Sequence, residues 1–128
     1  MGDRKWVSSG SPFEEPVGYS RATRLGDRVL VSGTAPVWPD GSCPDDAGLQ
    51  ARRCFEIIEA ALSELGASLT DVVRTRVFIT AVDAAEAVGS VHGELFRGTR
   101  PVTSMVVVAG LLDPRWKVEI EAEAVVSG

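Results

Sequence analysis

In the run Lys117-Val118-Glu119-Ile120-Glu121-Ala122-Glu123-Ala124-Val125-Val126 the first eight residues alternate cleanly. Val118, Ile120, Ala122 and Ala124 fall on one side, and Lys117, Glu119, Glu121 and Glu123 on the other. Side chains of a strand point to opposite faces in turn, so this pattern requires a sheet with one buried face.

The segments before it read outward from that strand. Val102 to Ala109 is a second extended run, and Pro101 favours an extended chain where it begins. Ala84 to Phe96 repeats apolar residues at helical spacing (Ala84, Val88, Val91, Leu95), with His92 beside that face. Gly89 and Gly93 each weaken such a helix by about 1 kcal/mol against Ala, which points to a backbone packed close to them. Val72 to Thr80 is rich in β-branched residues and reads as a strand.

The longest helix is expected from about Asp45 to Leu65. Ala47, Ala51, Cys54, Phe55, Ile58, Ala61, Leu62 and Leu65 recur in steps of three and four and make one apolar face. Asp45 and Asp46 suit its positive end and Gly66 its stop. Before it, Tyr19 to Arg24 and Arg28 to Ser32 flank Leu25-Gly26-Asp27 as a hairpin. Gly33 to Gly41 reads as loop from its Gly and Pro content, and the stretch up to Gly18 as a short edge strand around Trp6-Val7 followed by loop.

The order is β-β-β-α-β-α-β-β, an α+β fold in which two amphipathic helices cover one sheet face. The other face is expected to carry Tyr19, Arg74, Arg76, Thr103, Met105, Glu119 and Glu121. That mixture is too apolar for open solvent and too charged for a core. It suits a subunit interface with polar pockets, and the protein is read as a homo-oligomer.

With 128 residues, 45% hydrophobic and 24% charged, the chain reads as a single domain spanning 1–128. Eighteen acidic against thirteen basic residues give a net charge of −5. No basic run interleaves with aromatics, which argues against a nucleic-acid partner. Met1 to Trp6 leads into no apolar run and no stretch approaches the ~20 residues of a membrane span, so a cytoplasmic protein without a membrane partner is expected. Cys43 and Cys54 have no metal-ligand spacing and His92 is the one histidine. Two reduced thiols, no metal and no cofactor follow.

Gly18-Tyr19-Ser20, Val29-Leu30-Val31-Ser32-Gly33-Thr34-Ala35-Pro36, Asp71 to Thr80 and Val118 to Val125 together resemble the Rid (YjgF-like) proteins, the reactive-intermediate imine deaminase family also labelled endoribonuclease L-PSP. The resemblance runs from about Val7 to Val126. It implies a chorismate-mutase-like fold and a homotrimer whose three sheets pack into a barrel-like core, with ligand clefts between neighbours. It makes Tyr19 an aromatic wall, Ser32-Gly33-Thr34 a backbone cradle in which Thr34 replaces a common Gln, and Glu119 the carboxylate that orients water. Thr34, Thr103 and Met105 line the same cleft in that geometry. Trp38, an aromatic in a Pro-flanked loop, is a further candidate wall of a ligand pocket.

The chain departs from the pattern where the family carries a carboxylate-gripping arginine in a Pro-x-Arg-Ser segment. Pro101-Val102-Thr103-Ser104 puts Thr103 there, and Gly89 replaces a helix-borne asparagine. A hydroxyl supplies one neutral hydrogen bond, worth about 1 kcal/mol, against about 1.5–3 kcal/mol for each bond to a charged group. The resemblance therefore implies a small imine, enamine or carbonyl substrate rather than a standard 2-iminoacid, unless Arg97 or Arg100 restores the charge. The alternative is a trimer that binds or senses a small metabolite without turnover. Ribonuclease activity is disfavoured by the acidic balance. Each residue also has a plainer role open to it: Glu119 paired with Arg74 or Arg76, Tyr19 and Trp38 packing an interface, Thr34, Thr103 and Met105 packing a sheet face, Trp116 packing on the surface.

Overall fold

The computed structural model describes residues 4–127; the Met1–Asp3 part of the terminus reading lies outside the described residues. Six strands form one sheet: β1 (Arg4–Val7), β2 (Ala22–Leu25), β3 (Arg28–Thr34), β4 (Val72–Ile79), β5 (Val102–Val107) and β6 (Val118–Val125). Their spatial order is β1-β2-β3-β6-β4-β5. The alternating run that opened the sequence reading is thus a central strand, antiparallel to both β3 and β4. Only β4 and β5 run parallel.

Three α-helices accompany the sheet: a single turn, α1 (Glu14–Val17), and the longer α2 (Ala47–Glu64) and α3 (Ala85–Phe96). The α1 turn was expected to be loop. It is fixed by Glu14, a buried carboxylate that accepts from the Ser9 backbone N–H and hydroxyl. Those bonds hold its pKa below the ordinary value although burial opposes them.

The start of α2 is set by Asp46, whose carboxylate accepts from Leu49 N–H at 2.9 Å. Ala51, Cys54, Phe55, Ile58 and Leu62 of α2 meet Val88, Val91 and Phe96 of α3 over Val29, Val31, Val77, Ile79 and the Val118–Ala124 row in one core. The hairpin turn between β2 and β3 needs its glycine: Gly26 has φ 64°, a region that side chains disfavour.

Gln50 is fully buried on the apolar face of α2. Its amide donates to the Pro44 and Arg115 carbonyls (2.9 and 3.0 Å) and its carbonyl accepts from Lys117 N–H (2.7 Å). It therefore pins the loop before α2 and the start of β6 to the helix.

Among the described residues no other backbone packs closely on the helix glycines. A Cβ at Gly89 would meet nothing within 4 Å, and one at Gly93 would meet the Arg97 guanidinium at 3.2 Å. Among the described residues no helix is long and apolar enough to cross a membrane.

Candidate functional site

The face of the sheet that α2 and α3 leave open carries the acidic row of β6. Two of its three members are neutralised within the sheet. Glu123 accepts from Arg28 at 2.7 Å and Glu121 from Arg76 at 2.8 Å. Glu119 lies opposite Phe78 instead, and accepts no side-chain hydrogen bond from any described residue. The expected pairing with Arg76 is thus made by Glu121, Glu123 takes Arg28 instead, and Glu119 forms no ion pair among the described residues.

The geometry around Glu119 comes from a bulge in β3. Val31 pairs with Ala122 and Thr34 with Ile120, so Ser32 and Gly33 together oppose a single residue, Glu121. β3 continues through this bulge to Thr34, two residues beyond the expected end of the strand at Ser32. Gly33 then comes so close to Glu119 that a Cβ there would stand 2.6 Å from Oε2. Burial raises the Glu119 pKa above its ordinary 4.5, with Arg21 pulling it down and Glu121 pushing it up.

Arg21, which immediately precedes β2, lies beside Gly33 and was not singled out in the sequence reading. It is 9% exposed, and its guanidinium donates to Thr34 Oγ1 at 3.2 Å and to the Gly33 carbonyl at 3.0 Å. The guanidinium carbon sits 5.9 Å from the centre of the Tyr19 ring. Buried Nε has no partner among the described residues. A Tyr-x-Arg spacing leading into a strand places both side chains on one side, and that was the available signal.

The hydroxyls of the cradle are occupied within the fold. Ser32 Oγ donates to the Ser20 carbonyl at 2.7 Å, and fully buried Thr34 donates to the Ser32 carbonyl at 2.8 Å. Both act as struts of the bulge. Tyr19, 37% exposed, is free to wall a ligand. Trp38 is half-buried in the loop after β3, which Arg53 of α2 ties down through the Val37 carbonyl at 2.7 Å.

Thr103 and Met105 are not where they were expected. In parallel pairing Thr103 lies beside Thr75 and Met105 beside Val77. Thr75 is fully buried, donates to Thr103 Oγ1 at 2.7 Å and shares a 2.8 Å hydrogen bond with His92 Nε2 of α3. Met105 packs against the core. Both residues therefore belong to the helix-covered side, opposite Glu119, while Ser104 and Val106 beside Arg76 and Phe78 face the open side. Thr103 and Glu119 of one chain cannot share a cleft across the sheet.

Two recesses follow the same division. A groove of about 230 Å³ on the open face is lined by residues that include Ser20, Leu30, Ser32, Arg74, Arg76 and Glu121. A recess of about 300 Å³ on the other side is lined by His92, Gly93, Phe96, Arg97, Arg100 and Pro101. Arg97 and Arg100 thus stand away from Glu119 of their own chain. Burial lowers the His92 pKa, which favours the neutral ring. Among the described residues no cluster of His, Cys, Asp or Glu could hold a metal ion.

The family model described as Endoribonuclease L-PSP matches residues 12–126. The chain belongs to the Rid/YjgF family. An uncharacterized Streptomyces coelicolor protein is 41% identical over 119 residues, covering 92% of this chain and 89% of that one. The 2-iminobutanoate/2-iminopropanoate deaminase of Escherichia coli K12 is 34% identical over 112 residues, covering 84% and 86%. Among solved structures, Rv2704 of Mycobacterium tuberculosis, a member of the YjgF/YER057c/UK114 family, superposes with a TM-score of 0.89 at 48% identity, covering 97% of this chain and 100% of that one. The E. coli YjgF gene product gives 0.79 at 30% identity, covering 94% and 92%. The α+β fold of this Rid chain is therefore the family's fold.

Proposed function

We propose that this protein hydrolyses a small imine or enamine metabolite to its carbonyl compound and ammonia, in clefts that neighbouring copies of a homotrimer complete. The observation that carries this reading is Glu119: alone in its acidic row it forms no ion pair among the described residues, and burial makes it a better proton acceptor than an ordinary glutamate.

In this reaction the carboxylate accepts a proton from water as the water oxygen bonds to the imine carbon. The C=N electron pair moves to nitrogen, and that proton passes on to it. The carbinolamine then collapses to the carbonyl compound and ammonia. Backbone N–H groups near Gly33 and Thr34 stabilise the charge that develops, and Tyr19 walls the substrate.

Two further observations support assembly. Leu30 and Val106 on the open face are 41% and 47% exposed, more apolar surface than a solvated sheet needs. Thr103 and Met105, which the family resemblance puts in that cleft, lie on the other side of the sheet from Glu119 and so could meet only another copy's Glu119. The relative named for deaminating 2-iminobutanoate and 2-iminopropanoate supports the imine class. Free Cys43 and Cys54 fit a single-domain protein of the reducing cytoplasm. The net charge of −5 disfavours RNA as a substrate.

Thr103 in the arginine position favours a second reading, a trimer that binds a metabolite without turnover. Ammonia release from imines generated in situ, measured beside thermal shifts with the corresponding ketone, separates the two. Turnover supports hydrolysis; stabilisation without turnover supports binding alone.

A further inference from the structure

The geometry points to a second small-molecule site, in the recess between the end of α3 and the start of β5, where Arg97 and Arg100 grip the dianionic phosphate of a small phosphate monoester. The recess lies on the helix-covered side of the sheet, away from Glu119 of the same chain, and the site does not rest on the hydrolase reading.

The recess holds about 300 Å³ and is lined by His92, Gly93, Phe96, Arg97, Arg100 and Pro101. Its inner part is apolar and aromatic: buried Phe96 packs on the half-buried His92 ring, with the ring centres 4.7 Å apart. Its outer part is cationic and open to solvent, since Arg97 and Arg100 are both exposed. Neither arginine forms an ion pair among the described residues. Glu94, the acid nearest to them in the chain, is held by Arg52 at 2.8 Å. A guanidinium has five N–H donors. Arg100 uses its Nε–H, on the Arg97 carbonyl at 3.2 Å, which ties the side chain to the helix end and leaves the two outer nitrogens free.

Cations are favoured at the negative end of a helix, and that accounts for charge here. It does not account for two local choices of residue. Among the described residues Arg100 is the one non-glycine with a left-handed backbone, at φ 52°. Its N–H closes the helix end on the Phe96 carbonyl at 2.7 Å, at the kind of position glycine usually takes. Gly93 makes the opposite exception, a glycine inside α3, where it weakens the helix. The Arg97 guanidinium lies over it, one terminal nitrogen 3.2 Å from the point where a Cβ would stand. Both choices cost the fold stability, and both bring a guanidinium to the same recess. Backbone strain of this kind clusters at ligand clamps.

The charge count selects the ligand. Two uncompensated cations are matched by a group carrying close to two negative charges and three acceptor oxygens, which a phosphate monoester supplies. Each guanidinium can give such a group two parallel N–H bonds. A carboxylate neutralises one cation only. Phe96, Pro101 and a His92 ring that burial keeps neutral suit the uncharged remainder of the molecule. Two arginines on a chain of net charge −5 do not suit a nucleic-acid strand.

The test is titration calorimetry with phenyl phosphate and, as the singly charged counterpart, benzoate. It is run at about pH 8, where the phosphate is a dianion, and at one fixed low ionic strength, because salt screens exposed charges. Wild type is expected to bind phenyl phosphate with a Kd of about 1 mM or tighter, and about tenfold or more tightly than benzoate. Arg100→Gly suits the left-handed backbone and keeps the helix end, so the fold is retained; it and Arg97→Gln are each expected to lose about tenfold in phenyl phosphate affinity. A wild-type crystal soaked with phenyl phosphate is expected to show the phosphate within hydrogen-bond distance of both guanidinium groups. The proposal is overturned by a wild type that binds neither compound or binds both equally, by a folded Arg100→Gly or Arg97→Gln that keeps its affinity, or by a soaked crystal with the phosphate on other residues.

Discussion

Gly33 and Glu119 occupy one another's space: the Glu119 carboxylate lies across the point where any other residue at position 33 would carry its Cβ, 2.6 Å from Oε2. Only a glycine in the β3 bulge lets that carboxylate rest against the backbone cradle. Gly33→Ala must displace the carboxylate while leaving the core untouched. Hydrolysis is expected to fall roughly ten- to a hundredfold, as for other small misplacements of reacting groups, with a melting temperature close to wild type. Steady-state ammonia release and a thermal melt on the same sample check both halves.

Glu119 also carries a stability signature. Its folded-state pKa is raised, chiefly by burial, so the native chain holds this proton more firmly than the unfolded chain does. Between glutamate's ordinary value and the raised one the folded state binds more protons, and stability therefore falls as pH rises through that window. Above it the ionised carboxylate is a standing penalty. Glu119→Gln is expected to melt above wild type at pH 7, with the difference closing as pH drops below the ordinary glutamate range. Melting curves across pH 4–8 decide it; a variant less stable than wild type at pH 7 contradicts the raised pKa.

The fold was legible where one face of an element is buried and the other is not. β6 and α2 have that contrast, and their faces were read correctly from spacing alone. β5 has no such phase: Val102, Met105, Val106 and Val107 put apolar groups on both sides of an edge strand, so periodicity could not tell which side Thr103 takes. Pairing with Thr75 decides it. In the candidate site, Tyr19, Gly33 and Glu119 were named from the family resemblance, but Arg21 was not. A buried arginine and a solvated one look alike in a sequence, since burial here depends on the β3 bulge and on Tyr19.

Gln50 was hidden for a related reason. It interrupts an apolar helix face, and its partners Pro44, Arg115 and Lys117 are loop backbone, two of them distant in the chain. Gln50→Leu keeps the bulk but removes the three hydrogen bonds to the Pro44 and Arg115 carbonyls and the Lys117 N–H. Urea unfolding should show a loss of about 2–4 kcal/mol. A change below half a kcal/mol would mean water replaces the amide.

Assembly makes a separate demand, because Thr103 and Met105 could meet only another copy's Glu119. Sedimentation equilibrium at micromolar concentration is expected to give three times the 13.6 kDa chain mass. A monomer at that concentration would leave each cleft with one wall.

The hydrolase reading stands or falls on one comparison: the initial rate of ammonia formation from an imine made in situ, with wild type and Glu119→Gln at equal concentration and matched far-ultraviolet spectra. Wild type is expected to accelerate release over buffer, and the variant to lose on the order of a hundredfold or more of that acceleration. Equal rates for the two proteins, or a wild type no faster than buffer, would contradict it.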